Sequence, residues 1–456
     1  MYYRKPGEFL MVNMHDPVLM SQLTSAGLTN IDSYLIALAA FQRGLSVSFH
    51  RFTSTEEFHF KSDEGYLAEL FSVTDGRHTH YFNRTIGDLT PPELSVITTD
   101  KHRTKERLQK HGIPVPVGIV ANKGQQALVE KFIRISSARE FVVKPFDGSL
   151  SRDVRVGVPP AELLSCVQEH PDARVVIEEQ IKGDEYRVSV VDGKAVAITQ
   201  ALQPHVIGDG VRTIEELVAE KNRSRVANPV FRYLPLKITP DMVSYLAAGE
   251  LTTLSVPEPG QRVILSHSFS IHQGGDIIEV TDAVSSEVKE VAIRACEAFG
   301  MLFAGVDVIE RRQGGKTEVY VLELNSRGSI EAHSYPLAGE GRNNTVAEAI
   351  IDRYFPDSIH NRRFPEAVIN VKGVLEALQN GLFSSVTLPT LASDWVHKRI
   401  KLGPESGDRV LRRIKYSFLR HKLYGLLHKT DTGEFIFDCA GPEADFQDFM
   451  KMFSPR

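Results

Sequence analysis

Val176-Ile-Glu-Glu-Gln-Ile-Lys-Gly-Asp-Glu-Tyr-Arg-Val-Ser-Val-Val191 is the stretch on which the reading of this 456-residue chain turns. Apolar runs predict one strand over 174–178 and a second over 186–191, bounded by polar and glycine residues. The second run passes through Asp192-Gly193 into Lys194-Ala-Val-Ala-Ile198, and Asp-Gly between two such runs signals a hairpin. Glu178 and Glu179 close the first strand. Burying an unpaired charge costs several kcal/mol, so charges at the ends of apolar strands need a reason. The pattern recurs: Lys144 ends Phe141-Val-Val, Asp307 sits inside Ala304-Gly-Val-Asp-Val-Ile309, and Glu323 lies between Leu322 and Leu324 in the run from Val319.

Each of these charges, taken alone, could simply alternate outward to water. Together they place lysines, several carboxylates and Asn325 at the ends of different strands in one region. Hard oxygen donors (Asp307, Glu323, Asn325) suit Mg²⁺, and lysines suit phosphates. The combination describes a nucleotide–magnesium site.

The rest of the chain frames this region. The first 95 or so residues read as short strands with one helix, Tyr34-Leu-Ile-Ala-Leu-Ala-Ala-Phe41, capped from Thr29-Asn-Ile-Asp-Ser33 and followed by the strand Val47-Ser-Phe-His50. Pro91-Pro92 ends this block, and Thr213-Ile-Glu-Glu216 is a capping box opening a later helix. Asn361-Arg-Arg-Phe-Pro365 reads as a linker to a tail of different character, with nine basic and two acidic residues from Lys398 to Lys422. That basic run reads as a solvated helix face. Overall, 53 Lys+Arg against 58 Asp+Glu give a net charge of −5, which removes a bulk electrostatic case for nucleic acid. Three scattered cysteines form neither a disulfide framework nor a zinc site and point to a reducing compartment. No apolar run is long enough for a bilayer and no secretory signal opens the sequence, so a cytoplasmic enzyme without a membrane partner is expected.

The motifs then carry a family resemblance. Asp100-Lys101-His-Arg-Thr-Lys105 with Gly112-Ile-Pro-Val-Pro116 resembles the opening of the ATP-grasp ligase domain. Val142-Val-Lys-Pro-Phe-Asp-Gly-Ser149 is similar to its second lysine strand and phosphate-covering loop, and the stretch from Val176 to Arg187 to its adenine hinge. Gln203-Pro-His-Val-Ile-Gly-Asp-Gly-Val-Arg-Thr-Ile-Glu-Glu216 and Gly274-Gly-Asp-Ile-Ile-Glu-Val-Thr-Asp282 resemble the cyanophycin-synthetase and bifunctional glutathione-synthetase branch. The resemblance covers about residues 97–356. It implies an α/β architecture: an ATP-grasp fold over 97–358, preceded by a small αβ domain over 1–96. A third, small α/β sandwich over 366–456 follows.

The resemblance also implies roles. Lys101 and Lys144 would contact ATP phosphates under a loop containing Gly148 and Ser149. Glu178 would accept from the adenine amino group, Glu179 and Ile181 would offer hinge backbone groups, and Glu185 would hold the ribose. Asp307, Glu323 and Asn325 would bind Mg²⁺, two ions being usual and Mn²⁺ able to substitute. Arg187, with Lys144, would stabilise the transferring phosphoryl group and the acyl phosphate that follows. An amine attacking that acyl phosphate would give an amide, ADP and phosphate. The substrates would be a small acid and an amino acid or short peptide, and a homo-oligomer is compatible. Rival readings are another acyl-phosphate acceptor, or a nucleotide-binding regulator without turnover.

Two departures bear on this. The phosphate loop, Asp147-Gly-Ser-Leu-Ser-Arg-Asp153, is poor in the glycines that allow close backbone approach. After the metal ligands, Asn325-Ser-Arg-Gly-Ser-Ile-Glu-Ala-His333 has Glu331 where the family carries a basic residue, so the substrate cannot be copied from the family. His205, His272, Arg327 and Glu331 are the candidate substrate-side residues, with His267 beside them. His205, His267, His272 and His333 match no metal-ligand spacing. The tail, from Gly407 through Tyr424-Gly-Leu-Leu-His-Lys429 to Phe449, resembles an acylphosphatase-type sandwich. Leu411 and Lys429 replace that family's Arg and Asn, which implies a non-catalytic module with a regulatory or oligomerising role.

Overall fold

The computed structural model describes residues 14–25, 31–51, 68–146, 153–339, 341–359, 364–379, 383–404, 408–421, 423–430 and 432–451. They divide into two units: Leu89–Arg342, and Met1–Asp88 together with Asn343–Arg456.

Leu89–Arg342 holds the motif-rich region. Its larger sheet runs in the order Asp276–Glu279, Lys194–Leu202, Asp184–Val191, Phe303–Gln313, Lys316–Asn325, every pair antiparallel. Val188, Val190, Val306, Val308, Val321 and Leu324 point to one face, where they pack with the helices Lys101–Lys110 and Ser286–Phe299. Because side chains alternate along a strand, the residues between them are directed to the opposite face. The expected hairpin at Asp192-Gly193 is present, with both residues at positive φ, 47° and 70°.

A second, smaller antiparallel sheet runs Gly118–Asn122, Arg174–Glu179, Phe141–Pro145, Arg155–Val158. Its core is shared with the helices Gln126–Ile135 and Leu163–Glu169. A third element group lies between Leu202 and Asp276. There the paired strands His205–Ile207 and Arg262–Ile264 and the helices Ile214–Ala227 and Pro240–Ala248 enclose Val206, Leu217, Met242 and Val263. Thr213 and Glu216 make the expected capping box reciprocally.

The other unit departs from the expected domain borders. Every residue of the helix Asp32–Gln42 is buried, and a helix apolar all round must be covered on all sides. The cover comes in part from Thr345–Tyr354, which lies beyond Arg342 and was expected inside the ATP-grasp segment. The strand Ser46–His50 is flanked on one side by Leu70–Thr74 and on the other by Ser385–Thr387 from the expected tail domain. Pairing that edge removes a row of open backbone groups. One strand of the segment 366–456, Ser385–Thr387, thus belongs to the sheet of the segment 1–96, while Trp395–Met450 keeps a sheet and core of its own. The expected helix cap also changes: Ile31 stands at the N-cap without a side-chain bond, while Asp32 sits in the first turn, ion-paired to Arg84.

Within the same unit, Trp395–Leu402, Asp408–Arg420, Tyr424–Lys429, Phe435–Pro442 and Glu443–Met450 run strand–helix–strand–strand–helix. The third strand lies between the first two, so those two are parallel and joined through the helix. Arg412 is exposed on that helix. Lys429 stands over the Phe435 ring. Among the described residues no helix is long and apolar enough to cross a membrane.

Candidate active site

The open face of the larger sheet collects the carboxylates. Asp307 is the cross-strand partner of both Arg187 and Glu323. Immediately after it the register with the neighbouring strand slips by one, leaving Leu322 as an inserted residue. Such a bulge re-aims side chains. It allows Val321 and Leu324, three apart, both to enter the core, and it sends Glu323 and Asn325 to the same face as Asp307. Arg187 Nε and Nη2 donate to Asp307 Oδ1 and Oδ2, each at 2.7 Å, while Asn325 Nδ2 donates to Oδ2 at 3.1 Å. The planar fork matches the carboxylate, and Asp307 raises the pKa of Arg187 further, with burial opposing. Glu185, on the strand of Arg187, is pushed up to about 7 by burial and then by the Asp307 charge. Lys101 Nζ lies 3.2 Å from Glu323 Oε1.

The smaller sheet carries the second array. Lys144 Nζ donates to Glu178 Oε2 at 2.9 Å, and Lys105 Nζ donates to Oε1 of the same carboxylate. Burial pushes the Glu178 carboxyl up, but the two ammonium groups outweigh it and hold it below the usual carboxylate range. Burial pushes Lys105 down to about 8 against the opposing pull of Glu178. Lys105, not among the residues expected at the site, shares Glu178 with Lys144, and its spacing from Lys101 held the signal. Asp100 caps the helix Lys101–Lys110 by accepting from the backbone N–H groups of His102 and Arg103. Lysines four apart on a helix share a face, and this one delivers Lys101 to one sheet and Lys105 to the other.

The segment between Glu179 and Asp184, the expected adenine hinge, is held at its start. Ser136 Oγ donates to Glu179 Oε1 at 2.5 Å, and the Glu179 N–H donates to the Val117 carbonyl at 2.8 Å. Gln180 Oε1 accepts from the Gly157 N–H at 2.6 Å, and Ile181 is half-buried. Gly148 and Ser149 lie outside the described residues.

The substrate-side candidates separate. His272 lies close enough to Arg187 for that charge, after burial, to lower its pKa, and Glu331 favours the charged Arg187. Arg327 is exposed. His205 belongs elsewhere, beside Asp276, Lys221 and Arg262, and His267 packs edge-on against Tyr245 with ring centroids 4.6 Å apart. The loop after Asn325 is seated by a close approach: a Cβ on Gly305 would lie 3.1 Å from Gly328 Cα. That loop brings buried His333 to Ser189 Oγ at 2.9 Å and within 3.6 Å of Glu279, a polar network that no motif announced.

Asp307, Glu323 and Asn325 form a donor set of two carboxylates and an amide oxygen on adjacent strand positions, which fits a hard divalent cation in chemistry. Both Asp307 oxygens are engaged by Arg187. Among the described residues no group of three or more His, Cys, Asp or Glu side chains is arranged to hold a metal ion. The three cysteines are buried, with Cys296 and Cys439 pushed up to about 12 by burial, so none of them resembles an activated thiolate.

A family model described as an ATP-grasp domain matches residues 98–233. Cyanophycin synthetase of Trichormus variabilis is 30% identical over 274 residues, 58% of this chain and 30% of that protein. The glutathione biosynthesis bifunctional protein GshAB of Clostridium perfringens is 28% identical over 302 residues, 63% of this chain and 38% of the relative. A crystal structure of a bifunctional glutathione synthetase from Pasteurella multocida shares the fold, with a TM-score of 0.54 at 22% identity over 73% of this chain and 44% of that one. The chain spans about a third of the length of the curated relatives it matches. Residues 98–233, inside the unit Leu89–Arg342, therefore match an ATP-grasp domain, and the chain has homology to cyanophycin synthetase and the bifunctional glutathione-synthesis proteins.

Proposed function

We propose that this chain is an ATP-dependent ligase that joins a carboxylate to the amine of an amino acid or short peptide through an acyl phosphate. The observation that carries this is the helix Lys101–Lys110, which ties a lysine–glutamate array on one sheet to a carboxylate array on the other. Lys101 and Lys144 would release their carboxylates to bind phosphate oxygens, as point charges offsetting phosphate repulsion. Glu178 would accept from the adenine amino group, with Glu179 and Ile181 lending backbone groups and Glu185 holding the ribose. Gly148 and Ser149 would cover the phosphates. Asp307, Glu323 and Asn325 would hold Mg²⁺, which neutralises phosphate charge when bound. Arg187, already oriented by Asp307, would stabilise the phosphoryl group and the acyl phosphate. This is catalysis by positioning and electrostatics. His272 and Glu331 would border the acceptor.

ADP release across a matrix of amino acids and short peptides, with mass spectrometry of the products, tests this reading. ADP formed only with Mg²⁺, a carboxylate and an amine, together with a product whose mass is their sum less one water, is expected. ADP release that ignores both substrates and chelator would overturn it.

A further inference from the structure

Glu178 is almost fully buried, at 4% exposure, yet ionised, because each of its two oxygens has its own ammonium partner. The two partners are not equivalent. Lys144 lies on the neighbouring strand, directly beside the segment that runs into the phosphate loop. In the function proposed above it turns to the nucleotide phosphates, and its bond to Glu178 is then shared or lost. Lys105 comes from the helix, one turn beyond Lys101, and has no phosphate role in that reading, so it can stay with Glu178. A carboxylate so deeply buried and left without a cation takes up a proton. It would then present an O–H donor where an acceptor is required. An ionised Glu178 accepts from an exocyclic amino group, as on adenine, whereas a protonated one donates to an exocyclic carbonyl, as on guanine.

We propose that Lys105 is a positioning residue that sets nucleobase selectivity: it keeps Glu178 ionised and oriented while Lys144 serves the phosphates. The proposal rests on the nucleotide reading given above, and the two can fail separately. Calorimetric titration of the full chain with ATP and with GTP, in Mg²⁺, reads it directly. Wild type should prefer ATP, and Glu178→Gln should lose most of that preference. If wild type does not prefer ATP, or Glu178→Gln changes nothing, the nucleobase role of Glu178 falls and the inference falls with it.

Lys105→Met should reduce the ATP-to-GTP affinity ratio by about tenfold or more, the range expected for a lost charge-assisted hydrogen bond. Lys105→Arg should restore most of the ratio. In the Glu178→Gln background, adding Lys105→Met should change the ratio little, since the group it acts through is already gone. Should Lys105→Met not fold, Lys105→Gln, neutral but still a donor, is read by the same ratio. An unchanged ratio in the neutral variant, while Glu178→Gln loses it, overturns the proposal and leaves the adenine role standing. So does a full, additive loss in the double variant.

Discussion

Two arrays of cations and carboxylates behave differently. On the smaller sheet, two lysines enclose one glutamate whose side chain is 5% exposed. On the larger sheet, Arg187 and Asp307 pair through two bonds while remaining 30% and 24% exposed. The first is a closed cluster with a surplus positive charge, which a buried site retains only because the glutamate is shared. The second keeps partial access to solvent, and its fork can reorganise toward a cation or phosphate at a smaller desolvation cost. The contrast teaches that the buried cluster should dominate stability and the open face should dominate chemistry.

The sharpest way to break that division is Glu323→Ala. Glu323 stands on the open face against Lys101. Its loss should cut ADP formation on the order of 10³-fold or more while leaving the denaturation midpoint nearly unchanged. Retention of more than about a tenth of the rate would remove Glu323 from the chemistry. The converse is Glu178→Ala, which leaves Lys105 and Lys144 facing each other without their carboxylate. It should cost about 3–5 kcal/mol in urea unfolding. Asp307→Asn, on the open face, should cost clearly less, and equal losses would collapse the comparison.

A smaller effect is expected at the edge of the open face. Glu331→Gln should lower the preference for acceptors carrying an extra ammonium group by about 10- to 150-fold in kcat/KM. Kinetics on a matched acidic and basic acceptor pair measures this, and an unchanged ratio leaves Glu331 as structure only.

The smallest is a pH slope. Lys105 is held at about 8, below the usual lysine value of 10.5, chiefly by burial. Between those values the unfolded chain binds more protons than the folded one, so unfolding free energy contributed by this group rises with pH. The penalty of the buried ammonium is in force below pH 8 and is relieved upward through that window. Relative to Lys105→Met, wild type should gain at most about 1.4 kcal/mol per pH unit there. A flat difference between the two proteins from pH 8 to 10 would show that Lys105 does not titrate in this range.

Much of the site was legible in the sequence because its signals are local. Asp192-Gly193 announces its hairpin, Thr213 and Glu216 their capping box, and the charges closing apolar strands advertise a site. The lysine pair at 101 and 105 is equally local, since a spacing of four puts both on one face of the helix. By itself, then, the sequence determined the strands, the caps and the kinds of charge available for binding. What it left to tertiary structure was which face those charges reach and which segments share a core. Strict alternation from Val319 and Val321 would carry Glu323 into the core, and only the inserted Leu322 turns it outward with Asn325. Likewise, no local pattern says that Asp32–Gln42 is covered by a helix some 300 residues later, or that Ser385–Thr387 completes the sheet begun at Ser46. Local dihedral preferences and side-chain periodicity act over a few residues. Register slips and edge pairing are decided by the burial of surfaces that meet only when the chain has folded.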